Sequence, residues 1–175
     1  MKLILLFIFS FQSIQVPIDY YFDSSKEIIH IMYKNKIDKY SLDRDFQLIS
    51  SSEIINSNLY DLNNFKFINE YTLSSNTGGS ILKIKGDSIF RIDKSYEHKM
   101  QLGSIEFIRN DTLFRYGGYG FFEHRNFFTF YDKNVNGWEH LDVNGGIIPK
   151  RISDFIYHFN KDKLYISGGY TFDKF

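Results

Sequence analysis

The sequence has 175 residues, 21 Lys plus Arg against 21 Asp plus Glu, two prolines and no cysteine. That length supports one domain with a proper core, and zero formal charge leaves no field to concentrate phosphates, which argues against a nucleic-acid partner. Without cysteine there is no disulfide framework, no Cys-ligated zinc and no thiol nucleophile, while 19 Phe and 13 Tyr with no Ala favour strand.

In chain order, Lys2 precedes the apolar run Leu3 to Phe9, and Ser10 to Gln15 follow as a polar flank. This pattern predicts a signal peptide over 1–15 and a secreted or cell-envelope protein. No small-x-small triplet precedes Val16, and the competing reading is a hydrophobic first strand. The run is too short to span a bilayer, which needs ~20 apolar residues. No transmembrane span is expected within this chain, and a lipid anchor would need a Cys.

Ile28 to Tyr33 and Ile37 to Leu42 flank Lys34-Asn35-Lys36 and read as a hairpin, with a third strand at Gln47 to Ser50. Residues 51–67 are rich in Asn and Ser and read as a long loop with room for a helical turn. Ile81 to Lys85 and Ser88 to Asp93 flank Gly86-Asp87, a tight hairpin. Ser104 to Arg109 and Thr112 to Tyr116 repeat that design around Asn110-Asp111. Phe127 to Tyr131 pairs with Trp138 to Val143, and Phe155 to Phe159 with Lys163 to Ser167. Every legible element is a strand joined to its neighbour by a hairpin-length loop, so the fold class is all-β: sandwich, barrel or propeller.

An internal repeat selects among these. Ser104 to Tyr119 and Phe155 to Tyr170 each read strand, Asn/Asp turn, strand, Gly-Gly-Tyr. Their glycine pairs, Gly117-Gly118 and Gly168-Gly169, lie 51 residues apart. A third pair, Gly78-Gly79, opens a strand pair instead of closing one and so fits the repeat less well. Tyr131-Asp132 comes after twelve residues that follow Gly118, and Trp138 stands six positions beyond Asp132. This order resembles the kelch repeat, whose period is ~50 residues, and places the chain near the kelch-type β-propellers, the fold of the galactose-oxidase central domain. The resemblance implies antiparallel four-stranded blades. Glycine would stand where the backbone needs positive φ or close approach, and Tyr131 and Trp138 would be buried between sheets.

On that reading 16–103 hold strand-rich amino-terminal blades with weak repeat marks, 104–151 a kelch-like blade, and 152–175 the start of a further, truncated repeat. The propeller is expected to be incomplete, either a fragment of a longer protein or an inactive truncated product, with open blade edges available for self-association.

The expected function is non-catalytic protein or glycan binding; the alternative is an exported propeller enzyme acting on glycans. A copper-radical oxidase of the galactose-oxidase type would need a Cys. The sialidase arginine strand has only a faint counterpart in Phe90-Arg91-Ile92-Asp93. Asp132, Asn134 and Asn136 before Gly137 match the opening of a calcium loop, but Val143 stands where a bidentate Glu is needed. A hairpin turn explains them better. The five histidines are scattered, and no metal or cofactor is expected. The loop after Gly118 concentrates Tyr119, Phe121, Phe122, His124 and Arg125, the aromatic and charged mixture favoured in interfaces. Packing of Phe121 and Phe122 under a neighbouring blade is the competing reading. Arg91 and Asp93 alternate with Phe90 and Ile92 and are expected on a solvated strand face. With Ser95, His98 and Lys99 they form a second candidate cluster.

Overall fold

A computed structural model describes residues 15–43, 45–75, 77–94, 101–144, 151–160 and 163–170. The predicted signal peptide lies almost wholly outside the described residues, as do Ser95, His98 and Lys99.

Strands β1 (Asp19–Asp23), β2 (Ile28–Met32), β3 (Lys36–Ser41) and β4 (Gln47–Glu53) form the first antiparallel sheet in chain order. Two short 3₁₀ turns, Ser57–Leu59 and Leu62–Asn64, lead into a second sheet of β5 (Phe65–Asn69), β6 (Thr72–Ser75), β7 (Ile81–Lys85) and β8 (Ser88–Arg91). The third sheet contains β9 (Ile105–Arg109), β10 (Thr112–Tyr116), β13 (Phe128–Asp132) and β14 (Gly137–Leu141). A small hairpin, β11 (Tyr119–Gly120) with β12 (Glu123–His124), is inserted between its second and third strands. Strands β15 (Ser153–Asn160) and β16 (Lys163–Tyr170) pair as a two-stranded fourth sheet. The first strands of neighbouring sheets run side by side, β1 with β5 and β9 with β15. The sheets stand as the blades of a β-propeller: three of four strands and a fourth with two described strands.

Local chemistry fixes the turns. Asn110 and Asp111 both take positive φ, 48° and 56°, as a two-residue primed turn requires, and Asn and Asp tolerate that conformation best after glycine. Gly86 does the same before Asp87 with φ 63°. In the Asn/Ser-rich stretch, Asp61 accepts hydrogen bonds from the amide nitrogens of the Asn63 and Asn64 side chains at 2.9 and 2.8 Å. That cap turns the chain so that Leu62 enters the core.

Strand alternation then sets the seams between blades. Met32 and Ile37 of blade 1 meet Phe65, Leu73, Leu82, Ile84 and Ile89 of blade 2. The opposite face of blade 2 presents Ile81 to Leu113, Tyr131 and Trp138 of blade 3. Ile105 and Tyr116, on the far side of blade 3, pack with Leu164 and Ile166 of blade 4. Tyr131 and Trp138 are thus buried between sheets, their rings 5.7 Å apart and edge-on.

The glycine pairs do different jobs. Gly78-Gly79 lies between the second and third strands of its blade, the same place that Gly117-Gly118 holds in the next blade. It therefore belongs to the repeat, contrary to the expectation from sequence. Gly79 has φ 75°, and a Cβ there would stand 2.9 Å from both Arg115 Nη1 and Trp138 Nε1. A Cβ on Gly118 would meet the backbone of Gln101 at 2.7 Å. Around Gly168, inside β16, no atom of the described residues lies within 4 Å of a Cβ position, and its φ of 74° meets the expectation of positive φ.

Candidate functional site

The hairpin β11–β12 is held at its base by backbone bonds to two neighbouring segments and across its own legs. Tyr119 and Leu102 exchange amide-to-carbonyl bonds of 2.7 and 2.9 Å, Gly118 donates to the Ile152 carbonyl at 2.7 Å, and Arg125 donates to the Gly118 carbonyl at 2.7 Å. Its tip is Phe121-Phe122, with φ 52° and 64°. Positive φ is strained for a bulky side chain, costing ~1–3 kcal/mol per residue, and such strain persists where the surroundings over-determine it. Both rings point outward, Phe121 60% and Phe122 94% exposed, so neither packs beneath a neighbouring blade.

Charged groups brace the tip. Glu123 receives Arg125 on one carboxylate oxygen at 2.6 Å and Arg151 on the other at 2.8 Å. The Arg125 guanidinium lies 5.8 Å from the ring centres of Phe121 and Phe127. His124, expected on the binding surface, is instead buried beneath the hairpin, its ring 5.1 Å from that of Tyr119. It is a base residue, and the exposed set reduces to Phe121 and Phe122 flanked by the half-buried Tyr119 and Arg125.

Arg91 and Asp93 belong to blade 2 and do not share a solvated face. Asp93 is buried; it accepts the Ile81 amide at 2.7 Å and Arg91 Nε and Nη2 at 3.1 and 3.0 Å. The carboxylate caps the start of β7, because Ile92 closes the sheet with a backbone bond to Ile81 and turns residue 93 inward. Burial, with the Asp93 charge adding to it, pushes the Tyr131 phenol up to about 12, so this hydroxyl stays protonated. The calcium-like loop is a turn: Asp132 Oδ1 accepts the Asn134 amide at 2.7 Å, and Asn136 has φ 52°. Among the described residues, no three His, Asp or Glu side chains converge as a metal site.

Two features between blades 2 and 3 escaped sequence reasoning. Arg115, 1% exposed, donates to Ser74 Oγ, the Ser75 carbonyl and Glu106 Oε1, and its guanidinium carbon lies 4.4 Å from the Trp138 ring centre. Trp138 Nε1 in turn donates to the Gly79 carbonyl at 2.6 Å. The signal was present: Arg115 is two residues from Leu113 on one strand, so both point inward. The second feature is a cleft of about 670 Å³ with Ile81, Leu113 and Tyr131 among its walls and Lys83, Lys133 and Asp111 at its mouth.

No protein-family model matches the chain, and no curated protein sequence matches it.

Proposed function

We propose that this chain is an exported, non-catalytic binding module of kelch type that holds a protein or glycan partner at the tip of hairpin β11–β12. The observation that carries the reading is the outward, strained Phe121-Phe122 pair on a base tied to the segments at Leu102 and Ile152. Aromatic groups ringed by arginine suit the centre of an interface, and a pre-ordered tip loses little entropy on binding. Support for the kelch reading comes from the ordered series Gly118, Tyr131, Asp132 and Trp138, and from the contact of Trp138 with Gly79. Support for export comes from Lys2 and the apolar run after it; no helix among the described residues is long and apolar enough to cross a membrane.

The test is a parallel screen of the intact chain against a glycan array and a displayed peptide library, repeated with the double variant Phe121→Ser/Phe122→Ser. The expected result is a ligand class whose affinity falls at least about 30-fold in the variant, in line with loss of a paired aromatic hot spot, with unchanged circular dichroism. A variant that binds every retained ligand as the wild type does would refute the assignment.

A further inference from the structure

The cleft between blades 2 and 3 is a second site, separate in sequence and chemistry from the hairpin. Part of its wall is aliphatic: Ile81 and Leu113 are buried core residues that still face it, and Ile108 stands 45% exposed, with Tyr71 and Tyr131 beside them. Its size is within the range of cavities that enclose a ligand group. Its mouth is cationic. Lys83 and Lys133 are exposed, and among the described residues neither has an ion-pair partner; the single carboxylate in the lining is Asp111. Arg115 and Lys26, which also lie between blades, are by contrast both paired.

We propose that this cleft binds an acidic peptide segment, taking one aliphatic side chain between the blades while the flanking carboxylates meet Lys83 and Lys133. The deep wall selects the anchor. Branched aliphatic groups gain by burial against an apolar side chain. The mouth selects the flanks, since two unpaired ammonium groups attract carboxylates and repel a basic segment. Nucleic acid is disfavoured because two lysines cannot track a phosphate backbone.

Trp138 supplies the readout. It is the only tryptophan in the chain, and it packs with Ile81, Leu113 and Tyr131 directly behind the cleft. The probe is an acetylated pentapeptide with Leu at the centre and Glu at the other positions, titrated into the intact chain. Trp138 emission is followed together with the anisotropy of a labelled copy. Saturable binding is expected that weakens at least about tenfold when the central Leu becomes Gly. It should weaken about fivefold to tenfold in each of Lys83→Glu and Lys133→Glu, and further as salt rises to about 0.5 M. Both lysines are exposed, so these variants are expected to fold as the parent. Phe121→Ser/Phe122→Ser leaves this binding intact, which separates failure here from failure of the hairpin reading. Equal binding of Leu- and Gly-centred peptides, indifference to charge reversal, no binding by either readout, or a response to neutral oligosaccharides in place of the peptide would each overturn the assignment.

Discussion

Blade 1 meets blade 2 through aliphatic side chains, with Met32, Leu73 and Leu82 wholly withdrawn from solvent. Polar ties flank this cluster: Asp19 accepts the Phe67 amide at 2.6 Å, and Lys26 bridges Asp23 and Glu70 at 3.0 Å each. Blade 2 meets blade 3 through a guanidinium: Arg115 reaches Ser74 and Ser75 across the seam, pairs with Glu106 of its own blade and stacks on Trp138. The aliphatic seam is forgiving, because apolar contacts tolerate small shifts and carry no directional demand. The guanidinium seam is not, since its bonds to Ser74 and Ser75 fix one sheet against the other. The cleft opens beside the seam that is rigidly pinned, where its walls can hold a shape without filling the space.

The largest effect should come from removing the pin. Arg115→Met leaves Glu106 half-buried without its cation, and breaking such a pair costs ~3–5 kcal/mol, read as a lower urea midpoint. Adding Glu106→Gln should return about 1 kcal/mol or more, because the stranded charge is gone. On the aliphatic seam Leu73→Ala has no such rescue and costs ~2–5 kcal/mol through lost contact and cavity. A loss below about 1 kcal/mol for Arg115→Met would mean that the apolar cluster alone joins blades 2 and 3.

A middle-sized effect separates two adjacent glycines. Gly79→Ala forces a methyl against the Arg115 guanidinium and the Trp138 ring at positive φ, and ~2–3 kcal/mol of destabilisation is expected. A Cβ on Gly78 meets nothing within 4 Å, so Gly78→Ala should stay within about 0.5 kcal/mol of the parent. Equal losses would show that the pair matters for backbone freedom and not for the close approach of Trp138.

The smallest effect belongs to pH and to the aliphatic seam. His30 is buried, and among the described residues neither ring nitrogen has a hydrogen-bond partner. Burial lowers its pKa below the ordinary 6.5, with Lys39 and Lys26 adding to the shift and Glu70 and Asp23 opposing it. The unfolded chain therefore takes up a proton at a pH where the folded chain refuses it, so stability holds above about 6.5 and declines as pH falls further. Melting temperatures measured from about pH 8 down to pH 5 should show this slope, reduced in His30→Leu. An undiminished slope in that variant would assign the effect to other groups.

How much of this was legible beforehand follows the range of the interactions. Turns at Gly86-Asp87 and Asn110-Asp111, and strands β7, β9 and β10, are written in neighbouring residues and appear where sequence placed them. Burial of Tyr131 and Trp138 is what the resemblance to the kelch repeat implies, and both are buried. Strands β1, β5 and β6 did not emerge: Asp19-Tyr20-Tyr21-Phe22-Asp23 lacks an aliphatic side, and Phe65–Asn69 was absorbed into an Asn-rich stretch. Asp93 and His124 looked exposed because their partners, the Ile81 amide and the Tyr119 ring, are set by sheet pairing and not by alternation. The cleft needed two sheets about 40 residues apart in sequence, and no local pattern announces an empty volume.

The meander within each blade has a kinetic corollary. Every four-stranded sheet joins strands that are sequence neighbours or are interrupted only by the β11–β12 hairpin, so ring closure entropy is small and each sheet assembles quickly by itself. Docking one assembled sheet on the next comes later and is the slower event. A refolding experiment should therefore show backbone ellipticity recovering ahead of tryptophan emission, since the lone indole reports only when two sheets have met.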